Sequence, residues 1–110
     1  MHRMVRFLVL YNTPHDAEAF ERHYREVHIP LARKLPGLRR YTISRDAAAV
    51  RGGEPYHLVA ELDWDNMAAL REAFASDIGQ ATAQDVPAFA TGGVHSMIYR
   101  LEEVEAVSGR

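Results

Sequence analysis

The chain has 110 residues, 47% apolar and 25% charged, with a net charge of -2 and no cysteine. This is the make-up of one globular domain, without disulfides, thiol nucleophiles or a basic footprint for nucleic acid. No apolar run nears the ~20 residues that span a bilayer, and residues 7–11 are too short for a signal-peptide core, so the expected location is cytoplasmic and off the membrane.

Residues 4–11 are β-rich and apolar on both alternating faces. Val5, Phe7, Val9 and Tyr11 share one face; Met4, Leu8 and Leu10 share the other with Arg6. A strand of that kind is covered on both sides. Residues 12–15 turn the chain, and Asp16 is the expected N-cap of the first helix, with Thr13-Pro14 as an alternative start. Phe20, Tyr24, Val27, Leu31 and Leu35 then recur at helical spacing, which predicts a core-facing stripe. Pro30 has no N–H for the carbonyl of Glu26, so the helix is expected to kink or restart there, with His28 at the break on the edge of the stripe. Leu35-Pro36-Gly37 ends the helix, and residues 38–45 read as a strand.

Residues 46–54, with three alanines and Gly52-Gly53, read as a connection. Tyr56, Leu58, Ala60, Leu62 and Trp64 alternate with polar neighbours and predict a third strand. Asp65 is the expected cap of a helix over 66–75, and Asp77 of another over 78–89. Gly92-Gly93 breaks the chain, residues 94–103 form a last strand, and the acidic tail to residue 110 frays. The order strand, helix, strand, strand, helix, strand predicts an α+β, ferredoxin-like βαββαβ fold: a four-stranded antiparallel sheet with helices on one face. The bare face would be apolar, so a second copy packed sheet to sheet is the expected cover.

Tyr11-Asn12-Thr13-Pro14, His28-Ile29-Pro30-Leu31, and the run from Leu35-Pro36-Gly37 to Tyr41 set a pattern that continues in Gly79-Gln80-Ala81 and Asp85-Val86-Pro87-Ala88-Phe89. Over about residues 4–103, as one domain within 1–110, it resembles the EthD (ethyl tert-butyl ether degradation protein-like) family of the dimeric α+β barrel superfamily. That resemblance implies a homodimer joined through its sheet faces. Enzymatic relatives include lactone isomerases, polyketide-tailoring proteins and cofactor-independent monooxygenases.

His28, beside the core at a helix end where the dipole favours its protonated form, is either a satisfied structural residue or an acid or base; the resemblance implies the second. Tyr41 is either a packed β-former or an orienting donor to His28 chemistry. Tyr24, Leu31, Trp64 and Phe89 are the expected ligand-binding wall, although core packing explains such residues equally well. The basic run Arg33, Lys34, Arg39, Arg40 and Arg45 either draws an acidic ligand to the pocket or is a solvated face. Six histidines include no local zinc spacing, His23 and His28 being five apart and so turned away from each other on a regular helix. No metal or nucleotide cofactor is expected.

The expected function is binding of a small hydrophobic or aromatic molecule, with cofactor-independent proton transfer, isomerisation or tailoring in a catabolic or polyketide pathway. The alternatives are a cofactor-independent monooxygenase and a non-catalytic ligand-binding or accessory protein.

Overall fold

Strand β1 (Val5–Tyr11) lies inside a four-stranded sheet, and in the computed structural model, which describes residues 3–107, every strand pairs antiparallel with its neighbour. The order is β2 (Arg40–Ile43), β3 (Leu58–Trp64), β1, β4 (Val94–Arg100). This is the ferredoxin-like arrangement expected from the element order. Register follows alternation: Phe7 stands opposite Leu62 and Val9 opposite Ala60, so the apolar sets of β1 and β3 share one face. Strand ends are trimmed. The second and third strands begin at Arg40 and Leu58, and the last ends at Arg100, beyond which residues 101–107 have no regular structure. Residues 108–110 of the tail lie outside the described residues.

Helix α1 (Ala17–His23) starts at Asp16, whose carboxylate accepts the Ala19 N–H at 3.1 Å. It passes into a π-turn at Tyr24–His28 and then α2 (Ile29–Ala32). The expected interruption near His28 takes the form of this π-turn, with a new helix starting at Ile29 and Pro30 in its first turn: His28 and Ile29 keep helical dihedrals, and the Ile29 N–H bonds back to the carbonyl of Tyr24, five residues earlier. The wider turn absorbs one extra residue. Its consequence is a one-residue shift of the buried face. Phe20 and Tyr24 are buried as expected, but the face continues through His28 and Ala32, not Val27 and Leu31. Val27 is 44% exposed, and His28 only 4%.

Gly37 takes φ 72°, where a side chain would be strained, and a Cβ there would stand 3.3 Å from the Trp64 ring. The turn thus sets Trp64 under it, with the indole N–H donating to the Pro36 carbonyl at 2.9 Å. Helices α3 (Met67–Ala75) and α4 (Asp77–Asp85) are capped by Asn66 and Ser76, which accept from Ala69 and Gly79 N–H; the neighbouring Asp65 and Asp77 do not take the expected cap positions. The second helix ends at Asp85, and Val86–Ala88 forms one 3-10 turn. Trp64, Tyr11, Tyr24 and Phe20 are the largest fully buried side chains, each contributing roughly 150–250 Å² of removed surface.

Candidate active site

Between the helix-covered face of the sheet and the π-turn, α2, α3 and α4 lies a cavity of about 420 Å³, within the range of small-molecule sites. Phe7, Val9, Leu62, Phe74 and Val86 make much of its apolar wall. The residues on its wall with polar side chains are Tyr11, Tyr24, His28, Tyr41, Gln80, Thr82 and Ser96, of which Gln80 donates to the Ala75 carbonyl and Thr82 to that of Ile78.

His28 Nδ1 is 2.9 Å from Asp85 Oδ2, and His23 Nε2 is 2.8 Å from Asp85 Oδ1. Desolvation alone would push the Asp85 carboxyl up, but the bonds and charges of His23 and His28 bring it below its ordinary value. An ionised carboxylate only accepts, so both imidazoles donate to it. For His28 this fixes the tautomer with the proton on Nδ1. Nε2, with no protein partner among the described residues, is left as the basic nitrogen of a ring that lines the cavity. Burial lowers the His28 pKa below 6.5 against the opposing pull of Asp85, so the neutral, basic form prevails near neutrality.

The π-turn brings this about. The wider turn changes the phase between positions 23 and 28, and the two rings expected to diverge converge on one carboxylate from α4. Beside them, the phenols of Tyr24 and Tyr41 are 2.7 Å apart. Tyr24 stacks on His28 with ring centroids 5.3 Å apart, so imidazole and phenol pair share one wall. Desolvation raises the pKa of both phenols, and of Tyr11, keeping them protonated.

His28, Tyr41 and Tyr24 of the expected site therefore stand together, while three expected wall residues do not. Leu31 is turned off the cavity by the one-residue shift; Trp64 is buried beneath Gly37, its N–H spent on Pro36; Phe89 packs behind His28, centroids 4.7 Å apart. Phe74, on α3, lines the cavity, whereas Met97, paired with Leu8, lies on the opposite sheet face. Arg33, Lys34, Arg39, Arg40 and Arg45 are all exposed and off the cavity wall. Asp85 and His23 escaped sequence reasoning because residue 85 lies 57 positions from His28 and no local spacing links them. Among the described residues no cluster of His, Cys, Asp and Glu is arranged to hold a metal, and no helix is long and apolar enough to cross a membrane.

Residues 12–93 match the EthD domain family. An 11.0 kDa protein of the thcB-thcC intergenic region of Rhodococcus erythropolis is 37% identical over 101 residues, 91% of this chain and 96% of that one. An EthD-family structure from Bacillus halodurans superposes with a TM-score of 0.81 at 36% identity, covering 92% of this chain and 99% of the other. A dimeric protein of ferredoxin-like fold from Bacteroides fragilis matches in fold alone, with a TM-score of 0.61 at 16% identity over 89% and 96% of the two chains.

Proposed function

The chain belongs to the EthD family, and on that premise we propose that it is a homodimeric, cofactor-independent acid–base catalyst acting on a small hydrophobic or aromatic molecule. The observation that carries this reading is the Asp85–His28 pair at the wall of an apolar cavity, beside a hydrogen-bonded pair of phenols. His28 Nε2 takes a proton from a carbon next to a carbonyl, or from a phenol. Asp85 holds the ring in the required tautomer and stabilises the imidazolium that forms. The phenol pair donates to the oxygen on which negative charge develops. Returning the proton to another carbon completes an isomerisation. The proposed subunit contact is the outer sheet face, whose exposed apolar residues support a second copy as cover.

The test begins with a thermal-shift screen of cyclic ketones, lactones and phenols. Ligands that stabilise the protein are then incubated with it in D2O and followed by NMR. The expected result is protein-dependent exchange of the proton next to the carbonyl, abolished in His28→Asn. A non-catalytic binding protein would instead bind these ligands and leave every C–H unexchanged. Because His28 is buried, His28→Ala would leave a void, so the amide variant is the cleaner probe.

A further inference from the structure

The charge of the ligand is written into the cavity wall. Among the described residues that line it there is no lysine or arginine. The formal charge bonded to a lining side chain is negative: Asp85, behind His28. Tyr24, Tyr41 and Tyr11 stay protonated through burial, and His28 stays neutral for the same reason. The basic run that would attract an anion lies on exposed surface, where Arg39 faces Asp65 at 3.6 Å.

The phenol pair adds a second constraint. Two O–H groups share one hydrogen bond of 2.7 Å, so whichever oxygen donates, one proton is unspent. The pair thus offers one unspent phenolic donor beside the acceptor His28 Nε2, on a wall whose other polar residues, Tyr11, Gln80, Thr82 and Ser96, are uncharged. An acceptor oxygen on the ligand satisfies the donor. A carboxylate would satisfy it too, but would lose its water with no cation to replace it and with Asp85 beyond the ring.

We infer that the cavity selects uncharged, oxygen-bearing apolar ligands, such as ketones, lactones and un-ionised phenols, and rejects carboxylates of the same shape. This rests on the ligand-binding reading of the site and extends it to the class of ligand.

The test uses two planar probes of nearly equal shape, 2-acetonaphthone and 2-naphthoate, titrated into the full chain by calorimetry at pH 8. There the acid is ionised and His28 neutral. The expected result is a Kd at least about tenfold lower for the ketone, from the uncompensated desolvation of the anion. Removing both hydroxyls, Tyr24→Phe with Tyr41→Phe, should weaken the ketone about tenfold through loss of the donor, because either phenol left alone keeps an unspent O–H. A gain-of-function variant makes the charge argument specific. Gln80 lines the cavity yet is exposed, so Gln80→Arg is accommodated at its rim. It should tighten naphthoate by about tenfold relative to the ketone. Parent protein that binds naphthoate as tightly as the ketone overturns the inference while leaving a ligand site intact. A Gln80→Arg variant with unchanged preference also overturns it, because discrimination would then lie in shape. If neither probe binds at millimolar concentration, the ligand-binding reading fails and this inference fails with it.

Discussion

On the inner face of β1, Val5, Val9 and Tyr11 are buried under the helices, whereas Leu8 and Leu10 on the outer face are only partly covered and Met97, paired with Leu8, is 51% exposed. Both faces are apolar, but only one is finished within the chain. Inside, helices and 3-10 turn bring aromatic rings edge to face around Tyr11 and Phe20 and leave a cavity whose polar groups are few and specifically paired. Outside, the polar groups form a compact charge cluster. Arg6 donates to both Asp63 oxygens, at 2.8 and 3.0 Å, and to Glu61 at 3.3 Å, and this pairing holds the guanidinium more firmly protonated. A fork of this kind orients the strands without covering the apolar residues beside it. The difference teaches that one apolar face is closed by the chain's own helices around a cavity, the proposed ligand site, while the other is left open, with a second copy as its proposed cover.

The largest effect expected from breaking this division comes at the inner face. Asp85→Asn keeps the shape but lets an amide N–H face His28, so the basic nitrogen can move to Nδ1 and away from the ligand. Ligand-dependent proton exchange should fall by about 10³ to 10⁴, as loss of the orienting carboxylate does in a Ser–His–Asp triad, with the dimer unchanged. NMR exchange rates check this, and a variant as active as the parent would remove Asp85 from the mechanism.

Next in size is a lesion confined to the outer face. Leu8→Arg can pair with Glu61, its neighbour on β3, and so leave the protomer folded, while placing a charge in the proposed contact. Sedimentation should show the dimer dissociation constant raised by about 100-fold or more, from desolvation of that charge. Ligand affinity should not move. An unchanged dimer would place the contact elsewhere.

The smallest effect sharpens the comparison through pH. The folded His28 pKa lies below its unfolded value of 6.5, so between the two the unfolded chain binds more protons. The stabilising contribution is therefore fully present above pH 6.5 and is lost as pH falls toward the folded value. Burial by Tyr24 and Phe89, the charge of Asp85 and the nearby His23 together set that value. Urea melts from pH 7.5 to 5 should show the parent losing stability across this window and His28→Asn losing less. The acid limb of the exchange rate should likewise lie below pH 6.5. Parallel slopes for the two proteins would mean that His28 does not titrate as described.

What could be read from the sequence was what depends on neighbours along the chain. Period-two alternation places Phe7, Leu62 and Tyr41 on one face without reference to the fold, and Asp16 caps its helix through an N–H three residues away. The EthD motifs likewise singled out His28 and Tyr41, which both line the cavity. The exact helical phase was not legible. Pro30 marked that the helix is interrupted but not that a π-turn does it, and the one-residue shift buries Ala32 and His28 in place of the expected Leu31 and Val27. Trp64 left the expected ligand wall because Gly37 folds over it, and Phe89 because it fills the space behind His28. The cap preference at Asn66 over Asp65, and at Ser76 over Asp77, turns on one residue of helix phase. Above all, Asp85 joins His23 and His28 only once α4 packs beside the first helix, because a hydrogen bond spans about 3 Å of space whatever number of residues separates its partners along the chain.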